Sequence, residues 1–267
     1  MTMFNMNKLT GAALGASLFM GVWGAPAIAN DMSSAESYRA LIQAAVDNPL
    51  RDDKDRERDT GRKPAKIIKF MGIKPGMTVM EMLAGSGYYA EILSHVVGET
   101  GKVIALNNKS YMAFTKDAIV TRLEQPGRME NVDLKIAEIN EMDLKKDNLD
   151  AVFLVLSYHD FYFVDEESGW PKVDVKRTLG QIHGALKQGG TLAVIDHAAA
   201  AGSPRETGST LHRIDPAIVR TELEAAGFEL VATSDVLANP QDDLSKPMYD
   251  KSVRGKTHRF VYRFVKK

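Results

Sequence analysis

The chain has 267 residues, with 34 lysines and arginines against 35 aspartates and glutamates, a formal net charge of −1, and no cysteine. That balance carries no nucleic-acid footprint, and the missing thiols exclude disulfides, thiolate metal sites, a cysteine nucleophile and a lipid-modified N-terminal cysteine. The length suits one large α/β domain or two small ones.

Lys8 is the only charged side chain before Asp31, and the apolar stretch LTGAALGASLFMGVWGAPAIA follows it. The stretch ends in Ala27-Ile28-Ala29, a small-x-small site. This pattern predicts a secretory signal peptide over residues 1–29, cut after Ala29, and hence a periplasmic or secreted protein with no membrane contact after cleavage. A retained membrane anchor is the competing reading, but the stretch is short for a span and Pro26 interrupts it. Residues 33–48 read as a helix with Tyr38, Leu41, Ile42 and Ala45 on one face. The dense mixed-charge run RDDKDRERDTGRK comes next, either a solvated helix face or linker, or a lid whose arginines reach an anionic substrate. Residues 30–60 are therefore taken as a helical, charged N-terminal extension and 61–267 as the main domain.

From Pro64 the pattern becomes regular. Ile67, Ile68 and Met71 mark a helix ending at Gly72, and a KPG turn leads into the strand TVMEML. Tyr89, Ala90, Ile92, Leu93, Val96 and Val97 form a helical stripe ending at Gly98. Strands are expected at KVIAL (102–106), DLKIAEI (133–139) and DAVFLVLS (150–157), the last apolar on both faces as a central parallel strand is. A helix over 175–190 leads into the strand TLAVIDH (191–197). Asp215 caps a helix that Pro216 starts. ELVATSDVL and HRFVYRFV alternate as an antiparallel terminal pair. Strands alternating with helices predict a doubly wound, mostly parallel α/β sheet closed by an antiparallel hairpin.

The stretch VMEMLAGSGYYAEIL places Glu81 at the end of a buried strand, ahead of Gly85-Ser86-Gly87 and a new helix. Glycines let a ligand approach the backbone, and the helix start offers N–H groups. A carboxylate just before that loop suits a cationic ligand better than a pyrophosphate, and the G-x-G-x-x-G spacing of a dinucleotide site is absent. The pattern resembles motif I of the class I S-adenosylmethionine-dependent methyltransferases, and the resemblance covers about residues 64–265. It implies the seven-stranded Rossmann-like methyltransferase fold and S-adenosyl-L-methionine as cofactor. On that resemblance Glu81 is the motif acid, with Ala84, Gly85, Ser86 and Gly87 forming the loop. Asn107 stands where the family has the acid that holds the ribose hydroxyls. Glu138 and Ile139 lie where the adenine is met, and Ser157 lies at the fourth strand tip. Leu83 replaces the first glycine of the motif. A leucine favours the ordinary backbone regions, so the turn is expected to leave the strand by another path. The signal peptide, the YHD and LHRID segments and VRGKTHRFV resemble a group of exported, uncharacterised predicted methyltransferases of bacteria.

Ligands of such a fold collect at the C-terminal tips of the strands. There the sequence places Ser157-Tyr158-His159-Asp160 after the fourth strand, Asp196-His197 at the end of the fifth, and His212 and Arg213 in the next loop. The leading expectation is His159 as general base for a small-molecule acceptor, with Asp160 as its orienter or a substrate ligand. Tyr88 and Tyr89 could set a π face near the sulfonium, though Tyr89 belongs to the packing stripe. No metal is expected on the leading reading. Two alternatives stand beside it: a metal-dependent enzyme using His159, Asp160, Asp196 and His197, and a ligand-binding protein that keeps the fold without the reaction. No feature of the sequence speaks to oligomeric state.

Overall fold

The computed structural model describes residues 25–267, with side chains from residue 34 onward. Of the expected signal peptide, residues 1–29, the first 24 lie outside the described residues, and its cleavage site falls on residues whose side chains are not described. Among the described residues no helix is long and apolar enough to cross a membrane. The chain divides into one unit up to Tyr38 and a compact unit from Arg39 to Lys267.

Helix α1 spans Ala25–Val46, and its stretch beyond Arg39 buries Ile42, Ala45 and Val46. The charged run forms α2 (Asp53–Arg62), and α3 (Pro64–Met71) follows, closed by Gly72 at φ +74°. The sheet carries β1 (Thr78–Met82), β2 (Lys102–Asn107), β3 (Val132–Ile136), β4 (Leu149–Val155), β5 (Leu186–His197), β6 (Phe228–Thr233) and β7 (Arg259–Lys266). Its order is β3-β2-β1-β4-β5-β7-β6. The first five strands run parallel, while β7 lies antiparallel between β5 and β6. The expected seven-stranded methyltransferase-type sheet is therefore present. The apolar residues of β4 explain its central place: Ala151, Val152, Phe153 and Leu154 are all fully buried, as a strand covered on both faces requires.

The remaining helices are α4 (Tyr88–Val97), α5 (Lys109–Thr115), α6 (Ala118–Leu123), α7 (Val175–Ala185), α8 (Thr207–Thr210) and α9 (Pro216–Ala225). The Asp215 carboxylate accepts from the Ala217 N–H at 2.9 Å and caps α9 as the sequence predicts. One boundary moves. The helix expected over 175–190 stops at Ala185, because the buried Leu186 pairs with Leu149 and the register then skips to Thr191 against Ala151. Glycines 189 and 190 thus form a bulge inside β5 rather than a helix cap.

The charged run is neither a free linker nor a wholly solvated helix. Asp55 of α2 is buried against Arg122 of α6 at 2.5 Å, and Arg51 makes a two-pronged pair with Asp59 at 2.8 Å. Arg122 and Arg128 both converge on Glu91 of α4, which is completely buried. Two acids and two arginines thus tie α2, α4 and α6 together beside the first strand tip.

Candidate active site

The chain leaves β1 through Leu83, whose φ is +54°. The expectation of a different exit path is overturned: Leu83 takes the left-handed conformation that glycine adopts freely, at a cost of about 1–2 kcal/mol for a residue with a Cβ. Its side chain is 3 % exposed and belongs to the core cluster of Leu106 and Ile139, so burial offsets the strain. Leu83→Gly should therefore relieve the backbone yet lower stability by a net ~1–3 kcal/mol, since deleting a buried leucine costs more than the strain. Urea unfolding checks this; a variant as stable as the parent would show that the side chain contributes nothing.

Gly85 and Gly87 follow at φ +59° and +87°. A Cβ on Gly85 would stand 3.3 Å from the ring of Tyr111, and one on Gly87 would stand 3.1 Å from Ile119, so both positions need glycine for close packing as well as for conformation. The Ala84 N–H donates to the Leu106 carbonyl at 3.1 Å, and the Gly87 N–H to the Ala84 carbonyl at 3.0 Å. The Gly85 N–H donates to Asn107 Oδ1 at 2.8 Å, while Asn107 Nδ2 donates to the Gly85 carbonyl at 3.0 Å. Asn107, expected at the ribose hydroxyls, is fully buried and turns both ends of its amide to the loop, so here it fixes the shape of the corner. Ser86 is the half-buried tip.

Glu81 sits behind this corner, 4 % exposed, and its Oε2 has no hydrogen-bond partner. Burial pushes its carboxyl up to about 8, against the downward pull of the Ala90 N–H, Arg62 and Arg122. An unmet, buried acid of this kind is a strong acceptor awaiting a donor or a cation. Tyr88 and Tyr89 do not reach the corner's open side. The Tyr88 hydroxyl donates to Asp59 under the Arg62 guanidinium, and Tyr89 packs on Phe153.

On the far side of β2, Glu138 accepts from the Lys109 N–H at 3.4 Å and Ile139 is buried. The gap among Asn108, Glu138, Ile139 and Trp170 holds about 10 Å3, which fits a water and no ring. Trp170 closes it, held by its indole N–H donating to the Asp160 carbonyl at 3.2 Å.

The tips of β4 and β5 form the second half of the site. Ser157 is fully buried with its hydroxyl 3.5 Å from the Met82 carbonyl. Asp196, also fully buried, accepts from the His159 backbone N–H at 2.9 Å and lies 2.7 Å from His159 Nδ1. Nε2 of the same ring is 3.2 Å from Asp160 Oδ1, and His212 Nδ1 is 3.8 Å from that oxygen. Burial disfavours an imidazolium at His159, but Asp196 and Asp160 outweigh it and raise the ring to about 9. With the ring protonated at neutral pH, the basic atoms facing the cleft belong to Asp160, which differs from the expectation of His159 as base. His197, expected beside His159, turns to Thr257 Oγ1 at 2.7 Å, and burial with the neighbouring His159 and arginines pushes it well below the usual range. The expected His-Asp quartet is thus split, and His212 takes the place of His197 at the cleft.

The cleft has a volume of about 510 Å3, and its walls include Tyr111, Phe114, Phe163, Trp170, His159 and Asp160. A cavity of about 670 Å3 beside Tyr162 is larger, but its charged lining, Lys172, Arg205 and Glu206, is exposed to solvent. Tyr111 joins the two halves of the site: its ring stands against Gly85, and burial with Asp160 and Asp196 nearby raises its phenol. The aromatic walls leave no signal in the sequence, because Phe163 and Trp170 lie in a segment without periodicity. Backbone strain clusters here too, with Leu83, Leu156 and His212 all at positive φ.

Residues 33–141 match the family model for protein-L-isoaspartate(D-aspartate) O-methyltransferase. That span contains the glycine corner and ends before the His159 cluster. A ubiquinone/menaquinone biosynthesis C-methyltransferase of Hydrogenovibrio crunogenus is 26 % identical over 130 residues, 48 % of this chain and 45 % of the relative. A 2-phytyl-1,4-naphtoquinone methyltransferase of a Nostoc strain is likewise 26 % identical over 130 residues, 48 % of this chain and 50 % of its own. The chain thus spans about half the length of the curated relatives it matches. Among solved structures, an S-adenosylmethionine-dependent methyltransferase from Aquifex aeolicus superposes with a TM-score of 0.56 at 23 % identity, over 85 % of this chain and 97 % of that one. The fold is that of the class I S-adenosylmethionine-dependent methyltransferases.

Proposed function

We propose that the protein is an S-adenosylmethionine-dependent methyltransferase whose acceptor is a small molecule with an aromatic ring, held in the cleft beside Asp160. The observation that carries this reading is Glu81: a buried carboxyl group with an unmet oxygen, behind a glycine corner, at the strand edge where this fold collects ligands. The names of the quinone methyltransferase relatives and the aromatic walls of the cleft support a ring-shaped acceptor. The leader-like residues 1–29 support action outside the cytoplasm; N-terminal sequencing of the exported chain should begin at Asn30.

The residues fit the cofactor in charge and in backbone. Glu81 would face its cationic end, while Asn107 keeps the Gly85 backbone in the shape that the ligand meets. Bound there, the cofactor supplies an electrophilic methyl group. The protein's part is alignment and proton removal. The aromatic walls hold the acceptor ring and exclude water, and Asp160 takes the proton that the acceptor's nucleophilic atom releases. Asp196 holds His159, and His159 holds Asp160, so the carboxylate is fixed in orientation.

Tyr111 and Trp170 stand over the corner and the gap beside Ile139. Both rings would have to move for a cofactor to lie there, and the population of the open form would set the apparent affinity. Calorimetry of the mature protein with S-adenosylhomocysteine tests the reading: one site is expected, and Tyr111→Ala should tighten it several-fold by removing the occluding ring. No heat from either protein at millimolar ligand would overturn the proposal.

A further inference from the structure

We propose that His159, Asp160 and His212 bind one divalent transition-metal ion at the floor of the aromatic cleft, with an open coordination position for an acceptor oxygen. One donor atom from each residue lies within 4.8 Å of the others. The two closer spacings, 3.2 Å from His159 Nε2 to Asp160 Oδ1 and 3.8 Å from that oxygen to His212 Nδ1, bracket the donor separation of a tetrahedral site with bonds of about 2.1 Å. All three residues line the cleft, so the ion would be capped on one side by protein and open on the other. Three protein ligands with a vacant position mark a catalytic rather than a structural metal site.

The surroundings supply what such a site needs beyond its ligands. Asp196 engages His159 Nδ1 at 2.7 Å, which fixes the ring so that Nε2 points at Asp160 and the cleft. Asp196 is fully buried and also accepts from the backbone N–H groups of His159 and His197, so its own position is fixed. His212 is presented from a left-handed backbone at φ +50°, its ring packed between Phe163 at 5.2 Å and Tyr249 at 5.8 Å. Two imidazoles and one carboxylate favour zinc, iron(II), cobalt or manganese over magnesium and calcium, which prefer oxygen ligands alone.

The site narrows the acceptor class. An apolar, aromatic-walled cleft with a Lewis acid at its floor fits a phenolic or enolic hydroxyl, whose oxygen takes the open position. With the ion bound, His159 Nε2 and Asp160 are ligands, so the hydroxyl's proton passes to water, and Asp160 acts as base only in the metal-free protein. This step rests on the methyltransferase reading, whereas the metal site itself does not.

The test therefore measures metal alone. Full-length mature protein, stripped with chelator, is titrated with cobalt(II) and followed by its visible ligand-field spectrum, then with zinc by calorimetry. One equivalent per chain is expected. His212→Ala, a change at a side chain only partly buried, should weaken it at least ~100-fold without changing the circular dichroism. Asp160→Ala should do the same. Asp196→Asn, at a positioning residue, should weaken binding by about 10–100-fold and shift the cobalt spectrum, a change that a purely structural role would not produce. Absence of cobalt or zinc binding, or binding that survives His212→Ala and Asp160→Ala, overturns the proposal. S-adenosylhomocysteine binding measured on the same His212→Ala protein keeps the two readings apart, because that variant leaves Glu81 and the glycine corner intact.

Discussion

Glu81→Gln should make the ligand-free protein more stable above neutral pH and, at the same time, a poor binder of a sulfonium ligand. The folded protein raises this carboxyl from 4.5 to about 8 through burial, so between those values the folded state holds a proton that the unfolded chain has released. Stability then falls as pH rises across that window, by roughly 3 kcal/mol at pH 7 and roughly 4 kcal/mol at pH 8. Glutamine keeps the shape and removes the titration. Urea midpoints for both proteins at pH 5 and pH 8 should therefore diverge in favour of the variant as pH rises. A difference that stays flat with pH would show that Glu81 is not the buried acid described. In parallel, S-adenosylmethionine affinity should fall at least ~10-fold, since a charged partner contributes about 1.5–3 kcal/mol more than none. For the parent protein, binding of the cation should draw the proton off Glu81, so calorimetric heats should vary with buffer ionisation enthalpy and the variant's should not. Gained stability with lost binding distinguishes a retained functional charge from a structural one.

Glu91→Ala should be the most damaging substitution outside the cleft. Glu91 is completely buried and accepts from Arg128 Nε and Nη2 at 2.7 and 2.8 Å and from Arg122 Nη1 at 2.7 Å. Its removal leaves two buried guanidinium groups with less negative charge around them, and such losses cost about 3–5 kcal/mol. Asp55 remains on Arg122 and Asp52 on Arg128, so the fold is expected to survive with a lowered urea midpoint. Glu91 lies one turn into α4, directly after the glycine corner, so its loss also loosens the site. Hydrogen exchange should quicken across α2 and the start of α4 together; exchange confined to α2 would refute the coupling. The same network explains why a run that looks like a solvated charge cluster is ordered: its acids meet arginines from beyond β2.

Much of the architecture is a local property of the sequence. Ile67, Ile68 and Met71 repeat at helical spacing, β4 is apolar on both faces, and Asp215-Pro216 starts a helix, because periodicity and capping depend on neighbours a few residues apart. The acid and glycines of residues 81–87 were legible for the same reason: one strand, one turn and one helix start carry that signal. Where local rules met tertiary demand they failed. Leu83 holds a glycine conformation because its side chain gains a place in the core, and α7 ends at Ala185 because Leu186 has a strand partner.

The sequence by itself thus determined the sheet, its parallel order of construction and the position of a carboxylate beside a bent backbone corner. Only the tertiary structure decided that Glu81 Oε2 is left without a partner, that Asn107 serves the loop, and that His212 rather than His197 joins His159 and Asp160. The reason is distance along the chain. His159 and His212 are brought together by the loops beyond β4 and β5, whose paths depend on how Phe163, Trp170 and Tyr249 pack, and no short-range pattern encodes such packing.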